Sequence, residues 1–215
     1  MKLIILAAGD SFELDGFNKL LIKHPKYKKT IIELYKNFFD VDKIEIVVGY
    51  KSLEIMNAYP NYDYIYNKKW QTTGSGYSLS LALTSEPCYV ISSDFLIEVE
   101  KAKSLLENDN YALIKNSESR RLSSLNVKLD TSNSSIIDVY RGKSYNNDPE
   151  LLGVFKISDP DILRVWKKNG IENPNSYAGE SLPFQGNKIS TLTIDNDVIT
   201  EINTPEDYIN FLKKN

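Results

Sequence analysis

Cysteine, histidine and methionine are nearly absent from this 215-residue chain, which has one, one and two of them. With Cys88 alone, no internal disulfide and no cysteine-based zinc site can form. Its neighbours Tyr89, Val90 and Ile91 make it a small core residue rather than a nucleophile. With His24 alone, in a Pro/Lys loop, a Ser/His/Asp triad has poor support and a multi-histidine metal site has none. An excess of positive charge is also missing: 26 basic and 29 acidic residues leave a net charge of −3. Duplex nucleic acid demands a concentrated basic face, so no nucleic-acid partner is expected. The richest basic run, residues 24–29, reads as a solvated loop. Long hydrophobic runs are lacking too. The few apolar residues after Met1-Lys2 are too short for a signal peptide or a membrane span, which predicts a cytoplasmic protein with no membrane partner.

The length suffices for one domain with a full α/β core. Leu3 to Ala7 run apolar without alternation, as a parallel strand covered on both faces does, and end at Ala8-Gly9 and a polar loop before Lys19. Two alanines and a glycine let backbone N–H groups approach a phosphate, and Lys19 is placed to supply a positive charge. Thr30 and Glu33 form a capping box for a helix from Ile31 to Phe39, followed by a strand from Lys43 that ends at Gly49-Tyr50. Strand, helix and strand make a right-handed βαβ unit with both strand ends on one edge. A short helix over 52–58 and a strand over 62–67 come next. The loop from Lys68 to Gly76 then opens a helix whose N-terminus offers N–H groups to an anion or a base edge.

Cys88 to Ser92 forms another apolar strand and runs into Asp94, at the strand end where open α/β sheets keep their ligands. A carboxylate there calls for a partner such as a metal ion. Beyond Tyr111 the pattern changes. Residues 111–115, 125–129, 135–140 and 151–157 read as antiparallel strands between turns such as 130–133, as in a meander. A helix over 159–168 should stop at Asn169-Gly170, and the segment from 172 to 186 reads as irregular, a lid or substrate loop. Strands over 189–194 and 198–202 precede a last helix with Thr204 as N-cap and Pro205 in its first turn.

These pieces coincide in order. Leu6-Ala7-Ala8-Gly9 with Ser11 and Lys19, the helix-opening Gly74 to Leu79, the strand ending in Asp94, and Asn203-Thr204-Pro205-Glu206-Asp207 resemble the nucleotidyltransferases with a glycosyltransferase-A-like fold. Within that group, the strings YSLSLAL, YVISSDFLIE and EINTPEDY look most like bacterial phosphocholine cytidylyltransferases. The resemblance implies a mixed, mainly parallel sheet flanked by helices, with an antiparallel extension in the second half. It divides a single domain into a nucleotide-binding half (1–110), an acceptor-binding half (111–203) and a C-terminal helix (204–215). The implied reaction joins CTP or another nucleoside triphosphate to a small phosphorylated or phosphonate acceptor and releases pyrophosphate, for decoration of surface polysaccharide or lipid.

By matched position, Ala7, Ala8, Gly9 and Ser11 would border the base and phosphates. Lys19 would hold the phosphates and act in catalysis with Asp94, and Gly74, Ser75, Gly76 and Ser78 would help to define the base pocket. Asp94 and Asn203 would hold Mg²⁺. Aromatic Trp70 and Tyr77, with Arg141, Lys156 and Lys128, are candidates for the acceptor. Two departures stand out: Glu13 occupies the place of the signature arginine, and Ser11 that of its second glycine. A glutamate facing a triphosphate repels it, so Glu13 swings out, or Lys23 or another cation substitutes, or the activity is altered. Other readings are a sugar-1-phosphate nucleotidyltransferase, a non-catalytic nucleotide-binding module, and a glycosyltransferase of the same fold. The last is weakened by Ser92-Ser93-Asp94 where Asp-x-Asp is usual. The oligomeric state is left open, a homo-oligomer included.

Overall fold

The computed structural model describes residues 1–116, 121–130, 135–144, 147–186 and 189–214. Its first half runs β1 (Lys2–Ala7), α1 (Ile31–Phe39), β2 (Lys43–Val48), α2 (Ser52–Ala58), β3 (Asp63–Tyr66), α3 (Ser75–Ala82) and β4 (Cys88–Ser92). There follow β5 (Phe95–Ile97), α4 (Ser104–Glu107), β6 (Tyr111–Lys115), β7 (Leu125–Leu129), β8 (Ile136–Arg141) and β9 (Glu150–Ile157). The chain closes with α5 (Pro160–Glu172), α6 (Ala178–Ser181), β10 (Ser190–Ile194), β11 (Ile199–Glu201) and α7 (Pro205–Lys214).

The unbroken apolar run of β1 has a direct cause: its successive residues belong to two different cores. Leu3 and Ile5 pack with Ile31, Ile32, Tyr35 and Phe39 of α1, whereas Ile4 and Leu6 share the opposite layer with Leu79 and Ala82 of α3 and with Leu163 and Trp166 of α5. Burial on both faces leaves no position on β1 for the polar residue that alternation would require. Helix α1 starts where expected, with the Thr30 hydroxyl accepting the Glu33 N–H and the Glu33 carboxylate accepting the Thr30 N–H.

The main sheet has the order β10-β6-β9-β4-β1-β2-β3, with β7 and β8 attached beside β9. Strand β9 runs antiparallel to both of its neighbours β4 and β6, while β1, β2, β3 and β4 pair in parallel. The four strands read as antiparallel do pair that way, β6 with β9 and β7 with β8 and β9, but not in the sequential order of a meander, and β10 pairs with β6 in parallel. A separate antiparallel ribbon joins β5 to β11, with Glu201 opposite Phe95. The order β4-β1-β2 makes the gap between β1 and β4 a topological switch point, where a crevice opens outside the carboxyl ends of the strands.

Helix α5 does not stop at Asn169-Gly170 but continues to Glu172. The glycine serves packing here, because a Cβ on Gly170 would stand 2.4 Å from the carbonyl oxygen of Gly76, so its absence lets α5 lie against α3. The 172–186 segment carries the short α6, and residues 131–133 of the expected turn lie outside the described residues. Among the described residues no helix is long and apolar enough to cross a membrane.

Candidate active site

Three segments far apart in the chain meet at the switch point. After β1, the loop makes one 3-10 turn over Phe12–Leu14 and passes through left-handed Asp15 and Gly16. A second 3-10 turn, Lys19–Leu21, begins with the Asn18 side chain accepting the Leu20 N–H at 3.1 Å. Leu20 is fully buried and anchors this turn, which leaves Lys19 facing the crevice. Asp94 follows β4 in a turn fixed from both sides: the Ser93 N–H donates to Leu6 O at 3.0 Å, and the Ile202 N–H donates to Asp94 O at 2.8 Å. The hydroxyl of Tyr35, from α1, donates to Ser92 O at 3.1 Å and to Phe95 O at 2.5 Å. The third segment is the end of β11, brought beside Asp94 by the ribbon with β5.

The ammonium of Lys19 donates to Asn203 Oδ1 at 2.6 Å and lies 3.8 Å from Asp94 Oδ2. The other Asp94 oxygen, Oδ1, is buried and has no hydrogen-bond partner among the described residues. Asn203 donates from Nδ2 to Glu201 Oε1 at 2.7 Å, which fixes its amide with the oxygen toward Lys19. Burial pushes the Asp94 carboxyl above the usual carboxylate range, with the charge of Lys19 opposing it. Burial and then the charge of Asp94 push Glu201 up to about 7. Asp207 behaves in the opposite way. Burial disfavours its charge, yet the N–H groups of Asn203 and Thr204, the Thr204 hydroxyl and Arg121 together hold it below the ordinary value. The same carboxylate oxygen takes the Asn203 N–H at 2.9 Å, the Thr204 N–H at 2.8 Å and Arg121 Nη2 at 2.5 Å.

Lys19, Asp94, Arg121, Glu201, Asn203 and Thr204 line a cleft of about 1020 Å³, with Asp207 behind them. On its other wall stand Leu125, Glu150, Leu151, Tyr177 and Gly179, and Glu150 is buried and paired with Lys115 at 3.5 Å. A smaller hollow beside it is bordered by Ala7, Gly9, Ser11, Lys19 and Ser93, so the β1 loop and Lys19 connect the two.

No family model and no curated protein matches the chain. Solved structures do. A CTP:phosphocholine cytidylyltransferase from Streptococcus pneumoniae superposes with a TM-score of 0.74 at 20% identity, over 99% of this chain and 98% of that one. An inositol-1-phosphate CTP transferase from T. maritima gives 0.69 at 19% identity, over 99% and 95%. A nucleoside-diphosphate-sugar pyrophosphorylase from Vibrio cholerae gives 0.70 at 12%, over 99% and 100%. The chain has the nucleotidyltransferase fold.

Within the nucleotidyltransferase fold, the residues singled out from sequence fall into two groups. Lys19, Asp94, Asn203, Ser11 and Ser75 line the cleft, and Ala7 and Gly9 the adjoining hollow. Ala8 is buried beneath the loop, with its carbonyl accepting the Tyr50 N–H at 3.1 Å. Gly74, Gly76 and Ser78 do not line the cleft. The N–H groups of Gly74 and Gly76 donate to Pro174 O at 2.7 Å and Ser176 O at 3.0 Å, so at these two positions the α3 N-terminus is taken up by the loop before α6. Buried Ser78 accepts from Asn67 Nδ2 at 3.0 Å. Ser75 has a double position: it lines the cleft, and its hydroxyl accepts the Ala178 N–H at 3.0 Å.

The five acceptor candidates stand outside the cleft lining. Trp70 packs over Gly49 and against Tyr50, and Tyr77 lies under the Lys69 ammonium. Lys156 is buried toward the far end of β9, where it binds Asp109 at 2.8 Å and Leu106 O at 3.1 Å. Arg141 forms two bonds to Glu180, at 2.6 and 2.5 Å, and its guanidinium lies 3.9 Å over the Tyr177 ring. It braces a cleft-lining aromatic rather than facing the cleft itself. Lys128 is exposed on β7, and Lys23 borders a separate apolar groove. Sequence reasoning missed Tyr35, Arg121, Tyr177, Glu201 and Asp207 as parts of the site. The last two lie inside the string EINTPEDY, but no local pattern marks the first three.

Proposed function

We propose that this protein is a nucleotidyltransferase that couples CTP to a small phosphorylated or phosphonate acceptor and releases pyrophosphate. The observation that carries the reading is the meeting of Lys19, Asp94 and Asn203 in one cleft at the switch point of a nucleotidyltransferase fold. In this reaction an acceptor oxygen attacks the α-phosphorus in line, the bond from that phosphorus to the bridging oxygen breaks, and the pair of electrons leaves with pyrophosphate. Positioning and compensation of phosphate charge do most of the work in such a transfer, so no nucleophilic side chain is needed. Lys19 faces the cleft from the phosphate loop and is suited to move from Asn203 onto the phosphates as they bind.

The donor set fits Mg²⁺. Asp94 presents a buried carboxylate oxygen with no hydrogen-bond partner among the described residues, and Asn203 a side-chain oxygen that shares the Lys19 ammonium with Asp94. Mg²⁺ favours one or two protein oxygens together with phosphates and water, and among the described residues no cluster of three acidic, histidine or cysteine side chains offers a closed cage. When bound, the ion would offset phosphate charge and polarise the reacting phosphoryl group. Asp94 and Asn203 would hold it, with Glu201 orienting the amide.

On the acceptor side, the carboxylates of Glu150 and Glu201 and the face of Tyr177 favour a molecule whose end remote from the phosphate carries an amine, a quaternary ammonium or hydroxyl groups. CTP and a phosphocholine-like acceptor are the choices that the resemblance to cytidylyltransferases favours. Four nucleoside triphosphates should be screened for pyrophosphate release against phosphocholine, aminoethylphosphonate, sugar 1-phosphates and phosphorylated amino acids. The expected result is metal-dependent release with CTP that collapses in Lys19→Ala and Asp94→Ala. Undiminished turnover in either variant would refute the reading.

A further inference from the structure

The charge inventory of the cleft is unfavourable for a polyphosphate. Its described lining holds five carboxylates, those of Asp10, Glu13, Asp94, Glu150 and Glu201, against the cations Lys19 and Arg121 alone. Lys19 is engaged with Asn203 and Asp94 at the floor. Arg121 stands at the mouth, with a side chain 38% exposed, and its charge reaches the floor, where it acts on Asp94 in the same direction as Lys19. One edge of its guanidinium is fixed, with Nη2 donating to Asp207 Oδ2 at 2.5 Å. Asp207 is itself held by the Asn203 and Thr204 N–H groups, so this anchor belongs to the rigid start of α7. The other side is held loosely: Nη1 lies 3.6 Å from Glu13 Oε2, and the Glu13 side chain is 67% exposed.

We infer that Arg121 grips the terminal phosphates of the bound triphosphate, and that Glu13 holds its place until they arrive. A guanidinium with one nitrogen anchored still presents a planar fork of N–H donors suited to phosphate oxygens. The Glu13 pair is long and solvent-screened, so it is weak and readily exchanged for a phosphate carrying more charge. Position 13, where the resemblance calls for an arginine, thus holds a carboxylate facing an arginine that arrives from residue 121. The glutamate that counts against triphosphate binding in the sequence is partnered in the structure. This assignment rests on the nucleotidyl-transfer reading, but its anion chemistry can be tested without turnover.

The test is calorimetric titration of inorganic tripolyphosphate and, separately, CMP into the full chain and into Arg121→Gln, Glu13→Gln and the double variant. Tripolyphosphate binding should weaken at least about tenfold in Arg121→Gln, the loss of a charge-assisted phosphate contact. CMP, which lacks the terminal phosphates, should bind as before. Glu13→Gln should tighten tripolyphosphate severalfold, and only while Arg121 is present. Equal tripolyphosphate affinity in wild type and Arg121→Gln would overturn the assignment. So would a parallel loss of CMP affinity, an unchanged Glu13→Gln, or a wild type that does not bind tripolyphosphate. Tripolyphosphate held through Arg121 with no pyrophosphate release from any triphosphate would remove the transfer reading and keep the grip. Turnover with the same triphosphate KM in Arg121→Gln would do the reverse.

Discussion

Replacing Lys19 with methionine removes the cation between Asp94 and Asn203 while keeping a flexible side chain of similar reach. In the wild type the ammonium lies 3.8 Å from Asp94 Oδ2, and the two side chains are only 11% and 23% exposed. At an effective dielectric constant of about 20, two unit charges at that separation attract by about 4 kcal/mol. Desolvation and the ordering of the lysine chain offset part of this, so a net loss of about 2 kcal/mol is expected at neutral pH. The direction of the pH dependence follows from Asp94. Burial already holds its carboxyl above the ordinary value while Lys19 opposes that shift, so removing the lysine moves the folded-state value further up. An acid whose folded pKa exceeds its unfolded pKa binds more protons when folded, so the variant loses stability as pH rises. The lost attraction matters only where Asp94 is ionised, so the deficit shrinks as pH falls through the raised folded-state values of Asp94, above the ordinary carboxylate range. Urea unfolding with chelator present, so that the carboxylates titrate without an ion, should give a difference near 2 kcal/mol at about pH 8 and less than half of it at about pH 4. A deficit of the same size at both pH values would refute the pairing of Lys19 with an ionised Asp94.

Two further outcomes follow from the same geometry. With Glu201 pushed up to about 7, the folded chain binds more protons than the unfolded chain between the ordinary carboxylate range and neutrality, so this group's contribution falls as pH rises through that window. Glu201→Gln keeps an acceptor for Asn203 and removes the titration. In chelator-containing buffer it should be more stable than wild type by about 1–2 kcal/mol at about pH 8 and indistinguishable at about pH 4 by urea unfolding; a deficit at the higher pH would contradict the burial of a charged Glu201. Gly170→Ala places a Cβ against the Gly76 carbonyl oxygen, a backbone atom that cannot turn aside. It should cost about 1–3 kcal/mol in thermal or urea unfolding, whereas an alanine at an ordinary helix position would stabilise.

The first half of the chain was legible because each of its signals has a single local cause. The run Leu3 to Ala7 can be apolar throughout only if both faces are covered, and Thr30 with Glu33 can satisfy each other only at a helix start. Gly170 misled for a physical reason: the same missing Cβ that ends many helices also allows two helices to touch, and which use applies depends on α3, nearly a hundred residues earlier. Gly74 and Gly76 carry the same ambiguity: they read as a helix start open to an anion or a base edge, and in the structure the backbone of residues 174–176 takes that space and accepts their N–H groups. Arg141 and Lys156 were chosen for their charge, yet each has its acid in the structure, Glu180 and Asp109, which no spacing in the sequence connects to it.

The shortage of reactive side chains in this chain and the make-up of its cleft have one explanation. Cys88 is buried, and burial pushes its thiol up to about 12, which removes it from nucleophilic chemistry. His24 is fully buried and is used as a strut: its Nδ1 accepts the Lys26 N–H at 3.2 Å, which leaves the hydrogen on Nε2 to be donated to Glu98 at 2.9 Å. Neither residue reaches the cleft. What does reach it is a set of charges and amides from four distant segments, Glu13, Lys19, Asp94, Arg121 and Asn203, joined through Asp207 behind them into one chain of contacts from Glu13 to Asp94. On the proposed reading, Lys19 and Arg121 supply the counter-charge for the phosphates, and transfer by positioning asks for no more reactive group than these.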